Sequence, residues 1–140
     1  MALIVDAGGL ISVLGKDQED HEKFVEALTI HRGPLVVSPL VVAEVDHLIL
    51  NRLGRRAELA FIDELVRTYQ VEDFSNADIA RAQELCARYA DLLTFDLSDA
   101  SCVVLAERYD SFEILTTDTK DFRNVAGSRG RYFRILPYDL

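Results

Sequence analysis

No apolar run in this chain approaches the ~18 consecutive residues a membrane-spanning helix needs. The N-terminus also carries neither the basic segment nor the small-residue cleavage site of a secretory leader. The expectation is a cytoplasmic protein with no membrane partner. Cysteine is scarce: Cys86 and Cys102 stand alone inside helical patterns, without a CxxC or a spaced histidine. That excludes a zinc site and a disulfide framework and leaves reduced, buried thiols. Ala7-Gly-Gly9 lacks the GxGxxG spacing of a dinucleotide site. Repeats, low-complexity stretches and linkers are missing, so one domain over residues 1–140 is expected, its core supplied by 49% hydrophobic residues.

Basic residues are also in short supply. Fifteen Lys and Arg against 24 Asp and Glu leave a net charge of -9, which argues against a broad electrostatic grip on nucleic acid. The charge is unevenly spread, however. Lys120, Arg123, Arg129, Arg131 and Arg134 share their segment with one acid, Asp121, and Arg52, Arg55 and Arg56 form a smaller cluster. Either patch is a candidate phosphate contact or a set of ordinary solvated arginines.

What is present is an alternation of strand and helix signals. Ala2-Leu-Ile-Val-Asp6 reads as a buried strand stopped by a turn at Gly8-Gly9, and Leu35-Val-Val37 as a second strand. Phe24, Val25 and Leu28 mark a helix over Glu19 to Thr29. Ser38 and Pro39 open a helix reaching about Arg52, closed by Gly54. Arg55 to Tyr69 predicts an amphipathic helix with a Leu59, Ile62, Leu65 and Val66 stripe. Val71 to Phe74, Glu113 to Thr117 and Tyr132 to Leu136 are strand candidates; Ser75 and Ser98 cap helices ending near Tyr89 and Tyr109. Such alternation predicts an α/β fold with a mostly parallel central sheet flanked by helices. Sites in such folds open beyond the carboxyl ends of the strands.

Four acids stand out by position. Asp6 ends the first strand and Asp118 follows a later one, so a parallel sheet would bring both to one edge. Glu44 lies three residues after Val41 and four before Leu48, on the inward side of its helix. Asp99 opens the Ser98 helix, four residues before Val103, on a core-facing stripe. Asp46 and Asp96, near the motif acids, read as surface or capping residues, and His21, His31 and His47 belong to no ligand-spaced pair. The helix dipole favours Asp99 by only ~0.3–1 kcal/mol. Converging acids would repel one another and raise their pKa values unless a cation joined them. A divalent ion with oxygen ligands, Mg²⁺ or Mn²⁺, is the economical solution.

Leu3-Ile-Val-Asp6-Ala, Ser38-Pro-Leu-Val-Val-Ala-Glu44-Val-Asp, Leu97-Ser-Asp99-Ala-Ser-Cys-Val-Val-Leu-Ala-Glu-Arg108 and Ile114-Leu-Thr-Thr-Asp118-Thr-Lys-Asp-Phe122 occur in register across nearly the whole chain. With these segments the sequence resembles the PIN-domain family and, within it, the VapC toxins of bacterial toxin–antitoxin pairs. The resemblance implies an α/β/α sandwich. It also implies that Asp6, Glu44, Asp99 and Asp118 are the acidic, metal-binding active site, with Asp6 and Asp99 the most direct ligands. It further implies hydrolysis of an RNA phosphodiester, pairing with a cognate VapB-like antitoxin, and a homodimer. Gly8-Gly9 departs from relatives that carry a small hydroxyl residue near Asp6, and Thr116 or Thr117 is a candidate to orient the site. Two other readings stay open: a PIN nuclease acting on RNA or DNA outside a toxin pair, and a non-catalytic α/β signalling module. The poor fit of Val71-Glu-Asp-Phe74 and Tyr132-Phe-Arg-Ile-Leu136 to a receiver's central and last strands weakens the module reading.

Overall fold

The structure, a computed structural model, describes residues 1–140. Its frame is a five-stranded sheet in the order β3-β2-β1-β4-β5, in which every pairing is parallel. The strands are β1 Leu3–Val5, β2 Leu35–Val37, β3 Gln70–Val71, β4 Glu113–Leu115 and β5 Arg134–Leu136. The three β1 side chains are inaccessible to solvent, as expected of a central parallel strand covered on both faces. Seven helices flank the sheet: α1 Ala7–Leu14, α2 His21–Ile30, α3 Pro39–Leu53, α4 Arg55–Thr68, α5 Asn76–Arg88, α6 Leu97–Arg108 and the short α7 Thr119–Phe122. Helix α6 is buried continuously from Ala100 to Ala106, a run of mostly small side chains with Val103, Val104 and Leu105 that lets its backbone lie deep in the molecule.

Parallel strands need crossover helices. Following β1, the chain places β2 on one side and β4 on the other, so the strand order switches direction beside β1. Val5 pairs with Leu115, which brings the residues that leave β1 and β4 out at the same edge. Ser38 caps α3 by accepting from the Leu40 N–H at 3.1 Å, Pro39 follows at the first helical position, and Gly54 ends the helix, all as its sequence predicts.

Several expectations change. Gly8-Gly9 is not a turn but part of the first turn of α1, a helix not anticipated from the sequence. The glycines permit close approach instead: a Cβ on Gly9 would lie 2.3 Å from the Leu115 carbonyl oxygen, and one on Gly8 2.3 Å from Thr117 Oγ1. Asp96, not Ser98, caps α6, and its reciprocal bonds with Asp99 complete a capping box. In α4 the buried residues are Glu58, Phe61 and Leu65, while Leu59, Ile62 and Val66 remain exposed. The third strand is Gln70–Val71, earlier than Val71 to Phe74. Asp46 is half-buried, and its Oδ1 is the one enclosed side-chain polar atom without a partner. Cys102 is fully buried, Cys86 half-buried, and both are free.

The basic segment is neutralised by acids outside it. Arg123 pairs with Asp139, Arg129 and Arg131 with Asp110, and Arg134 with Glu113. In the smaller cluster Arg55 is engaged by Glu58. Lys120, exposed beside Asp118, has no ion-pair partner.

Candidate active site

Asp6 leaves β1 and becomes the N-cap of α1, with its Oδ1 accepting the Gly9 N–H at 2.8 Å. Its Oδ2 accepts the Thr116 hydroxyl at 2.5 Å. Thr116 is fully buried just past β4, and its Oγ1 also accepts the Asp118 N–H at 2.9 Å. A single threonine thus links the Asp6 carboxylate to the backbone of Asp118 across the ends of two adjacent strands. The hydroxyl the resemblance placed after Asp6 is supplied from across the sheet.

Asp118 caps α7 through Oδ1, which accepts the Asp121 N–H at 2.9 Å. Asp121 is buried and accepts the Thr94 hydroxyl at 2.5 Å through Oδ2. Asp99 donates its backbone N–H to Asp96 Oδ1 at 2.9 Å, and its own Oδ2 accepts the Asp96 N–H at 3.0 Å. One carboxylate oxygen each from Asp99, Asp118 and Asp121 lies within 4.8 Å of the others. Asp121 is the member missed in the sequence, where it stood only as the lone acid of a basic stretch. The Asp118-x-x-Asp121 spacing, that of an N-cap and its third helical residue, was the available signal.

Glu44 is exposed, not inward. Val41 and Val45 are the buried residues of α3, and Glu44 sits at the border of that stripe. It still belongs to the same electrostatic cluster, because it contributes repulsion to Asp6 and feels that of Asp96.

The electrostatics follow from burial without cations. Desolvation pushes Asp6 up to about 7, with Asp118 and Glu44 adding repulsion and the Thr116 and Gly9 bonds opposing it. Desolvation, then Asp96 and Asp6, raise Asp99 to about 8. Asp118 is raised chiefly by burial and also by Asp121, with Lys120 pulling weakly the other way. Burial raises Glu44, with Asp96 adding to it. No ion pair in the molecule involves Asp6, Glu44, Asp96, Asp99, Asp118 or Asp121. A set of oxygen donors that repel one another and lack a protein cation fits a hard divalent ion.

Comparison with known proteins gives the family and the fold. The PIN domain family matches residues 3–128. The chain is 34% identical to Ribonuclease VapC26 of Mycobacterium tuberculosis over 136 residues, 96% of this chain and 100% of the relative. Among solved structures it resembles the sarcin-ricin loop cleaving toxin VapC20 of M. tuberculosis, with TM-score 0.74 and 18% identity over 84% of this chain and 91% of that one. It also resembles the DNA-bound VapBC of Salmonella typhimurium, with TM-score 0.73 and 14% identity over 96% and 98%. The last two establish likeness of fold. The family match and the 34% identity establish kinship, and the chain belongs to the PIN domain family.

Proposed function

We propose that this chain is a metal-dependent endoribonuclease, the toxin of a type II toxin–antitoxin pair, that hydrolyses RNA phosphodiester bonds and inhibits translation until its antitoxin neutralises it. The observation that carries the reading is the meeting of Asp99 at the start of α6 with Asp118 and Asp121 beyond β4, with Asp6 at the end of β1 close enough to repel Asp99 and to be repelled by Asp118, and with no ion-pair partner for any of them. The kinship with a protein named as a ribonuclease supports RNA as the substrate.

Asp6, Asp99, Glu44 and Asp118 would hold the ion, Mg²⁺ or Mn²⁺, with Asp121 beside Asp99 and Asp118. When bound, such an ion would supply Lewis-acid neutralisation of charge on the scissile phosphate and on the leaving oxygen. Thr116 orients Asp6 through Oγ1 and fixes Asp118 through the same atom. Glu44 stands at the solvent edge of this set.

The partner is a VapB-like antitoxin, in keeping with the toxin–antitoxin complexes among the solved relatives. A groove lined by Ile11, Leu14, Leu48, Ile49 and Leu53 gives such a chain apolar surface to cover, and a basic side chain from its tail would pair with the site acids. The working form is a homodimer in the cytoplasm; no helix is long and apolar enough to cross a membrane.

The test is expression of the wild type, Asp6→Asn and Asp99→Asn, with growth curves and sequencing of newly made RNA ends. The wild type should arrest growth and create discrete ends, and each variant should lose at least ~100-fold in cleavage rate. Equal cleavage by both variants would remove the mechanism, and cleavage without arrest would move the protein outside a toxin pair.

A further inference from the structure

A polar cleft of about 610 Å³ opens beside the acids and takes no part in holding them. Its walls are Thr117 and Thr119, the two neighbours of Asp118, together with Glu19, Asp20, Arg123 and Tyr138. Thr117 packs its hydroxyl over Gly8, within the α1 turn that follows Asp6, so the cleft begins where the acidic site ends. A ligand with one group at the acids would run directly into it.

The chemistry of the walls is selective. Tyr138 is 42% exposed and meets Phe24 edge-on, with centroids 6.0 Å apart and planes at 83°. That contact supports the ring from beneath its edge. The ring is also held in place through its neighbour: Asp139 accepts both Arg123 nitrogens at 2.6 Å and the Ile135 N–H at 2.7 Å. Arg123 is therefore a brace for the platform, its charge already met by Asp139. Asp20 pairs with Lys23 at 3.5 Å, whereas Glu19 is exposed and has no ion-pair partner. A stacking face beside free carboxylate and hydroxyl groups suits an unpaired nucleobase, because aromatic rings stack on any base and acceptors read N–H donors on its edge. A phosphate would meet Glu19 and Asp20, which repel it, so the charged backbone belongs outside the cleft, towards the unpaired Lys120 and Lys16.

We propose that this cleft is a base-recognition subsite for a nucleotide flanking the scissile phosphate, with Tyr138 as its stacking platform and Glu19 as the acceptor favouring an amino-bearing base over uracil. The proposal rests on the ribonuclease reading above, since it names where a second nucleotide of that substrate sits. Carboxylates accept from exocyclic amino groups such as cytosine N4 and guanine N2, and uracil offers none. Tyr138 and Glu19 act on which RNA is bound and not on the bond that breaks.

The test has a kinetic arm and a binding arm. In the first, Tyr138→Ala, Tyr138→Leu, Tyr138→Phe and Glu19→Gln are compared with the wild type on mixed-sequence single-stranded RNA, with the cleavage sites sequenced. Tyr138→Ala and Tyr138→Leu should raise KM about tenfold or more while kcat changes little. Leucine still fills the contact with Phe24, which separates loss of stacking from loss of folding, and Tyr138→Phe should recover most of the affinity. Glu19→Gln should relax discrimination against uracil at one position of fixed distance from the cut. In the second arm, Asp6→Asn protein is photo-crosslinked to RNA carrying 5-iodocytidine and the modified peptide is mapped. A crosslink to the segment holding Tyr138 supports the subsite even if the wild type cuts no RNA, an outcome that would instead refute the nuclease reading. Unchanged KM and site preference in both Tyr138→Ala and Tyr138→Leu, or crosslinks confined to other segments, would overturn the proposal.

Discussion

Two groups of acids in this molecule have opposite surroundings. At the carboxyl end of the sheet, Asp6, Asp99, Asp118 and Glu44 are raised above the ordinary carboxylate range, because burial and like charges surround them. Around the C-terminal basic segment, Asp110 and Asp139 are lowered, the first by Ser128, Arg129 and Arg131 and the second by Arg123 above all. Sequence position does not distinguish the groups, and each contains acids in loops and at element ends. Arginine does: the fold gives it to the second group and withholds it from the first. A chain with net charge -9 thus engages the arginines of its C-terminal segment with Asp110, Glu113 and Asp139 and leaves the site acids without one, so negative charge is concentrated where a metal ion can be held.

The largest way to break this contrast is by pH. Asp6 at about 7 and Asp99 at about 8 hold protons in the folded chain that the unfolded chain has already released above pH ~4. The folded state therefore binds more protons through the interval from about 4 to about 8, and stability falls as pH rises across it. Metal-free protein should melt on the order of 10 °C lower at pH ~8.5 than at pH ~5.5. Saturating Mg²⁺ or Mn²⁺ should recover most of that loss, since a ligand that binds only the folded state stabilises it. Asp6→Asn should flatten the dependence. The measurement is Tm by calorimetry across pH with chelator and with metal. A metal-free Tm that held or rose over this range would mean that the acids do not share a desolvated pocket.

How much of this was legible differs from residue to residue. Asp6 and Asp118 could be found because a parallel sheet sends successive strand ends to one edge, a rule that needs only strand order. Glu44 was harder, since a residue three after one buried position and one before another lies at the border of a helical stripe, and only packing decides its side. The Asp96 cap was misread because Ser98 is also a capping residue two places on; the Asp96-x-x-Asp99 reciprocity pointed to the correct start. Gly8-Gly9 looked like chain punctuation because what it accommodates, the Leu115 carbonyl and the Thr117 hydroxyl, arrives from more than a hundred residues away. The basic segment could not be resolved for the same reason: Asp110, Glu113 and Asp139, which pair with its arginines, all lie outside the window in which its charges were counted.

A smaller intervention sharpens the contrast from inside the acidic group. Thr116→Val keeps the shape but removes the hydroxyl that donates to Asp6 and accepts from the Asp118 N–H. Leaving these buried groups unpaired should cost about 1–3 kcal/mol, read as a Tm lower by roughly 3–8 °C. With that donor gone the carboxylate is less favoured as an anion, so the titration of Asp6 should move further up, and Thr116→Ser should restore both properties. NMR titration of the Asp6 carboxyl separates this from a general loosening of the core, which would not move one group selectively.

The smallest effect is expected at the arginines, and its smallness is the point. Arg134 pairs with Glu113 at 2.7 Å, with 43% of the arginine side chain and 13% of the glutamate side chain exposed. A partly exposed pair of this kind is worth at most ~1 kcal/mol, so Arg134→Gln should lower Tm by no more than about 3 °C and less in high salt. If the segment braces the fold, RNA cleavage by this variant should keep the wild-type KM and the same salt dependence. If Arg134 instead binds phosphate, KM should rise and the slope of log affinity against log salt should fall by about one. The two roles predict different changes in the same titration, so a single salt series decides whether the cations of this protein serve the sheet or the substrate.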